Sequence, residues 1–145
     1  MDKRNRHEFD HRLHIAIAQV HALGLPIDAE HVYEAMRLVE SKASVVYALR
    51  RAARHGLLTG RGTYRLGTLP RALHPFELRA TGLDTYELTT RWPHRDVPVF
   101  VGLISWRGGA WSGLLPREIT GLGLPYPWLY LPLLIKRNEL CPSPR

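Results

Sequence analysis

Four histidines near the start of the chain, His7, His11, His14 and His21, are spaced 4, 3 and 7 residues apart. On a helix those steps bring them toward one face, and two imidazoles one turn apart can share a divalent cation. A complete site needs a further thiolate or carboxylate. The single cysteine, Cys141, is remote in sequence, and only Asp10 sits among the histidines. The expectation is a polar helix flank with no metal bound. Asp84, Glu87, Asp96 and Glu118 are the carboxylates with a claim to hydrolytic chemistry, but no Glu-x-Lys pair follows Asp96. No serine stands in a nucleophile elbow, and there is no Gly-Lys-Ser/Thr loop to cradle a phosphate. We therefore expect neither catalytic residues nor a cofactor.

Guanidinium chemistry is what the chain concentrates. Lys3, Lys42 and Lys136 are the only lysines among 20 basic residues, which face 13 acidic ones for a net charge of +7. Such a surplus favours an anionic partner, nucleic acid first, and arginine suits bidentate contacts to phosphate and guanine. Residues 1–75 hold 12 Lys/Arg against 7 Asp/Glu, and residues 76–145 hold 8 against 6. The surplus therefore lies in the first half.

Within that half, residues 41–55 project as an amphipathic helix. Val45, Ala48, Leu49 and Ala52 gather on one side at 100° per residue. Ala43, Tyr47, Arg50 and Arg54 fall opposite, flanked by Val46 and Arg51, and no acid shares that face. Ser41 and Ser44 stand at the helix start, where free N–H groups favour a phosphate, and Lys42 adds a point charge. Arg61 sits between Gly60 and Gly62, a tip slim enough to enter a minor groove.

Three helical stripes and a hairpin must position these groups. Phe9, Leu13, Ala16, Ile17, Val20 and Leu23 predict a first helix, stopped by Gly24. Asp28 is a candidate N-cap for a second, with Val32, Ala35, Met36 and Val39 inward. Ser41 or Ser44 caps the third, which ends at Gly56. Residues 57–67 then predict a β-hairpin around Thr59-Gly60-Arg61-Gly62.

With this order in hand, SKASVVYALRRAARHGLLTGRGTYRLG, residues 41–67, resembles the winged helix-turn-helix superfamily. The likeness rests on the Ser-rich helix start, Ala48-Leu49, Arg54-His55, Gly56-Leu57 and the Gly60-Arg61-Gly62 tip, and IDAEHVYEAM looks like the preceding helix. It implies that the third helix enters the DNA major groove. Ala43, Tyr47, Arg50 and Arg54 would face the groove. Ser41, Lys42, Ser44 and Arg51 would grip phosphate, and Arg61 would be the wing contact. A fainter likeness is to the antitoxin regulators of type IV toxin–antitoxin systems, through Gly62-Thr63-Tyr64 and His74-Pro75, although the Ser-rich motif expected next is missing.

The expected architecture is α+β. A charged N-terminal arm over residues 1–10 precedes a three-helix winged helix-turn-helix over 11–68. A linker over 69–76, with Pro70 and His74-Pro75, leads to a small antiparallel β-unit over 77–145. In that unit Tyr86, Leu88, Thr90 and Trp92 alternate with polar residues, and residues 97–106 and 110–115 read as paired strands around Arg107-Gly108-Gly109. Pro125, Pro127 and Pro132 argue for an extended rather than helical final segment. Trp92, Trp106, Trp111, Trp128, Tyr86, Tyr126 and Tyr130 supply either core or a protein contact.

The resulting expectation is a transcriptional regulator that reads duplex DNA, with the β-unit serving for homodimerisation, a ligand or another protein. The alternative is a phage- or plasmid-encoded adaptor that binds host RNA polymerase or another host protein through the same half rich in Trp and Pro. The charged start lacks a secretory apolar stretch and no run is long enough to span a bilayer, so a cytoplasmic location without membrane contact is expected.

Overall fold

A computed structural model describes residues 3–37, 41–91, 99–116, 118–119, 124–125 and 127–138, with the backbone alone at 3–7, 118–119, 124–125 and 127. The chain is mixed α+β. Helix α1 (Lys3–Ala22) is followed by strand β1 (Ile27–Asp28) and helices α2 (Ala29–Ala35) and α3 (Lys42–Arg54). Strands β2 (Leu58–Arg61) and β3 (Thr63–Leu66), a 3-10 turn (Arg71–Leu73) and strands β4 (Phe76–Ala80) and β5 (Thr85–Thr90) come next. Strands β6 (Val99–Arg107), β7 (Ala110–Leu114), β8 (Glu118–Ile119) and β9 (Leu124–Pro125) precede helix α4 (Pro127–Asn138). Val39, Trp92, Asp96, Tyr126, Cys141 and the side chain of His7 lie outside the described residues.

Local chemistry explains the first three helices. Phe9, Leu13, Ala16, Ile17 and Val20 are buried at the three- and four-residue spacing that made α1 legible, whereas Leu23 is exposed. Helix α1 begins at Lys3, so the stretch expected as an arm forms its first two turns. Asp28 caps α2 by accepting from the His31 N–H at 2.9 Å. Ser41 caps α3 by accepting from the Ser44 N–H at 3.2 Å, which decides between the two serines. Each cap satisfies a donor that the helix itself leaves without a partner. Val45, Ala48, Leu49 and Ala52 are all buried, and α3 stops at Gly56.

The sheet that follows α3 has the order β1-β3-β2 and is antiparallel throughout. Arg61 pairs with Thr63, which leaves Gly62 alone at the apex with φ +74°. A side chain there would meet the steric cost of left-handed backbone, so the tight tip selects glycine.

The second half packs against the first. Its four-stranded antiparallel sheet, order β4-β5-β6-β7, turns Leu78, Tyr86, Leu88, Ile104, Trp106 and Trp111 inward. Helices α1 and α4 cover that face, with α1 against β7 and α4 against β4. The last apolar segment, expected to be extended, is helix α4, with Pro127 at its first position and Pro132 inside it. Proline costs nothing at the first helical position, where the N–H has no intrahelical acceptor. At Pro132 one hydrogen bond is lost, but Trp128, Leu131, Leu133, Leu134 and Ile135 are each 3% exposed or less. Burying several such side chains, at ~1.5–3 kcal/mol each, outweighs the ~3 kcal/mol cost of the proline.

The segment expected as a linker is likewise built in. Leu69 and Leu73 are buried. Lys136 Nζ donates to the Leu66 carbonyl at 3.4 Å, and Arg137 donates to the His74 carbonyl at 2.7 Å. One hydrophobic cluster runs from Phe9 to Ile135 across both halves.

Candidate functional site

Helix α3 and the β2–β3 hairpin enclose a groove of about 500 Å³. Arg50, Ala53 and Arg54 line it from the helix, and Gly60, Arg61, Gly62 and Tyr64 line it from the hairpin. Three guanidiniums from two elements thus converge on one concavity whose lining has no carboxylate. All three are exposed, and no ion pair engages them among the described residues. The groove can therefore offer about fifteen N–H donors to an anion, five per guanidinium.

The construction follows from sequence. Arg50 and Arg54 are one helical turn apart, opposite the buried stripe, so they must project outward together. The glycines around Arg61 keep the tip narrow. The base of the hairpin is held by Tyr64, which is buried and pairs with Ile27 of β1. Tyr47 stands beside this cluster, 58% exposed. Its ring lies 5.9 Å from the Arg54 guanidinium carbon and 6.0 Å from that of Arg51, within range of a cation–π attraction. Ala43 shares the exposed face.

Other expected contacts are arranged differently. Arg51 does not line the groove and instead makes an ion pair with Asp10 of α1. Its position explains this, because it flanks the buried stripe at the edge that α1 covers, and its side chain is only 22% exposed. Lys42 Nζ donates to a Glu30 carboxylate oxygen at 3.3 Å, so an acid of α2 reaches the helix start. The hydroxyls of Ser41 and Ser44 lie 2.9 Å apart and bond each other. Ser41, Lys42 and Ser44 therefore form a separate group at the head of α3. Ala53 was not singled out from sequence, Gly60 only as a flank of Arg61, and Tyr64 only within Gly62-Thr63-Tyr64. The small residue at Ala53, three positions after Arg50, was the available signal, because it leaves room for the hairpin.

The described histidines of α1 lie against the packed interior rather than together at a surface site. His14 is buried with Nδ1 lacking a hydrogen-bond partner, and burial, then the charges of Arg51 and His11, push its pKa down to about 3. His11 meets Trp128 edge-on, with ring centroids 5.4 Å apart. Burial and the charge of Lys136 lower the pKa of His21. No three His, Cys, Asp or Glu side chains among the described residues are placed to hold a metal ion. Of the carboxylates, Asp84 is buried and Glu87 pairs with Arg79 at 3.5 Å, while the side chains of Asp96 and Glu118 lie outside the described residues.

The described tryptophans of the second half are core, together with Tyr86 and Tyr130. Trp106, Trp111 and Trp128 are each at most 3% exposed, and the Trp106 and Trp111 rings pack edge-on at 5.0 Å. The helical cover over the sheet, absent from a bare β-unit, is what buries them. The described tryptophans consequently offer no exposed aromatic surface to a partner. No helix among the described residues is long and apolar enough to cross a membrane.

No protein-family model, no curated protein and no solved structure matches the chain.

Proposed function

We propose that the chain is a winged helix-turn-helix protein that binds duplex DNA and regulates transcription. The convergence of Arg50, Arg54 and Arg61 on one acid-free groove carries this conclusion. Support for the winged-helix assignment comes from the element order α1-β1-α2-α3-β2-β3 and the sheet order β1-β3-β2, which set a hairpin beside the exposed face of α3. Helix α3, about 10–12 Å across with its side chains, suits a major groove about 12 Å wide. Arg50, Arg54 and Tyr47 then meet base edges, and the hairpin delivers Arg61 to the neighbouring backbone or minor groove.

A groove of this volume is also within the size range of small-ligand pockets. Its character favours an extended polyanion instead. Its three basic residues are exposed and its lining carries no acid, so it offers positive charge along an open surface rather than a closed cavity.

The test is a titration of the chain with random and selected duplexes between about 50 and 200 mM salt. Each neutralised phosphate contributes about −0.9 to the log–log slope, so Arg61 on the backbone predicts a slope of about −0.9 or steeper. Unchanged affinity for Arg50→Ala and Arg61→Ala alike would sink the proposal.

A further inference from the structure

The face of the β4–β7 sheet that points away from α1 and α4 carries a second surface. Leu103 and Leu114 are direct cross-strand partners on it and are 45% and 86% exposed. Phe100 joins them through a bulge. The pairing steps from Leu88–Gly102 to Thr89–Phe100, so Val101 is an extra residue. Without that extra residue, strict alternation would send Phe100 to the inner face. Instead it lies on the same face as Leu103, 58% exposed. Three large apolar side chains thus form a patch on β6 and β7, and β7 is an edge strand among the described residues.

We infer that this patch is the contact through which two copies of the chain form a symmetric dimer, outer sheet face against outer sheet face. Charge identifies the occupant. The chain carries +7, so two copies repel wherever basic surface meets basic surface. The four strands contain only Glu77, Arg79, Glu87 and Arg107 as charged residues, and the pairing registers put all four on this outer face. Their charges cancel. A face with both signs around an apolar centre matches itself under a two-fold axis: Arg79 and Glu87 pair within each copy, and Glu77 and Arg107 are left to face their opposites across the axis. An acidic partner would find no basic surplus among the described residues of this face. The groove lined by Arg50, Arg54 and Arg61 lies on other elements, so dimerisation does not depend on the proposed DNA contact.

Sedimentation velocity of the full chain without DNA tests this. The expected result is a species of twice 16.6 kDa at micromolar concentration. Leu114→Glu and Leu103→Glu each raise the dimer dissociation constant at least tenfold with an unchanged circular dichroism spectrum, while Arg50→Ala leaves it unaltered. Leu114 is so exposed that its substitution threatens no packing. A chain that stays monomeric at about 100 μM overturns the inference, as does a dimer that tolerates Phe100→Glu and Leu114→Glu together.

Discussion

The Arg51 guanidinium donates to the Asp10 carboxylate and ties α3 to α1 across 41 positions of sequence. Their side chains are 22% and 24% exposed, between a fully solvated pair and a buried one. Asp10→Ala and Arg51→Ala are each expected to destabilise the fold, and the double variant to lose less than the sum. A coupling of about 1 kcal/mol in urea unfolding fits that intermediate burial. Zero coupling would mean that the pair does not brace α3.

Because Arg51 is committed to Asp10, the arginines of α3 divide. Arg50→Ala is expected to weaken duplex binding by roughly 1–3 kcal/mol and to relax sequence preference. Arg61→Ala weakens binding with less effect on preference and lowers the salt slope by about one. Arg51→Ala loses stability but little affinity once the folded fraction is corrected for. Fluorescence anisotropy with two competing duplexes separates these outcomes. A larger affinity loss at Arg51 than at Arg50 would contradict the geometry of the groove.

His14 makes stability depend on pH. Its pKa is about 3 when folded, set by burial first and then by Arg51 and His11, against 6.5 as the ordinary value. Between those values the unfolded chain binds a proton that the folded chain refuses. Stability is therefore complete above about pH 6.5 and is lost as pH falls toward 3. A shift of that size corresponds to roughly 4–5 kcal/mol at the acid end. His14→Phe removes the titrating group and is expected to flatten the unfolding free energy between pH 4 and 6.5. An unchanged slope would place the acid sensitivity elsewhere.

Two glycines of the hairpin region should respond differently to alanine. A Cβ on Gly67 would overlap the Gly56 carbonyl oxygen, where the end of α3 meets the strand after the hairpin. The Gly67 N–H also donates to the Leu57 carbonyl at 2.8 Å, so the backbone cannot retreat without breaking that bond. At Gly62 nothing lies within 4 Å of a Cβ, and the cost is conformational alone. Gly62→Ala should cost roughly 1–2 kcal/mol. Gly67→Ala should cost more, with a thermal midpoint clearly below that of Gly62→Ala. The reverse order would refute the close approach.

Periodicity makes α3 readable in the sequence. Val45, Ala48, Leu49 and Ala52 repeat at helical spacing on a helix with one wet side, so inward and outward residues separate cleanly. The groove followed in outline, because Arg50 and Arg54 share that wet side and Arg61 is bracketed by glycines. Helix α4 was illegible for the opposite reason. From Trp128 to Ile135 every described side chain except Leu129 is buried, so no polar stripe marks its period, and its prolines imitate an extended segment. Strand β1 is two residues long and has no pattern to detect. The fate of Arg51 depended on a carboxylate one helix away, which no local projection contains.

Helix α1 is a wall shared by two rooms. It packs against α2 and α3 on one side and against α4 and β7 on the other. A fragment ending near residue 76 would bare the side of α1 that now meets Trp128 and its neighbours, and would strip Lys136 and Arg137 from the carbonyls of Leu66 and His74. We therefore expect the segment 11–68, excised alone, to unfold at lower temperature than the whole chain. Heat should melt both halves in one transition, and damage to the far sheet should be felt at the groove as loss of the wall that holds α3 in place.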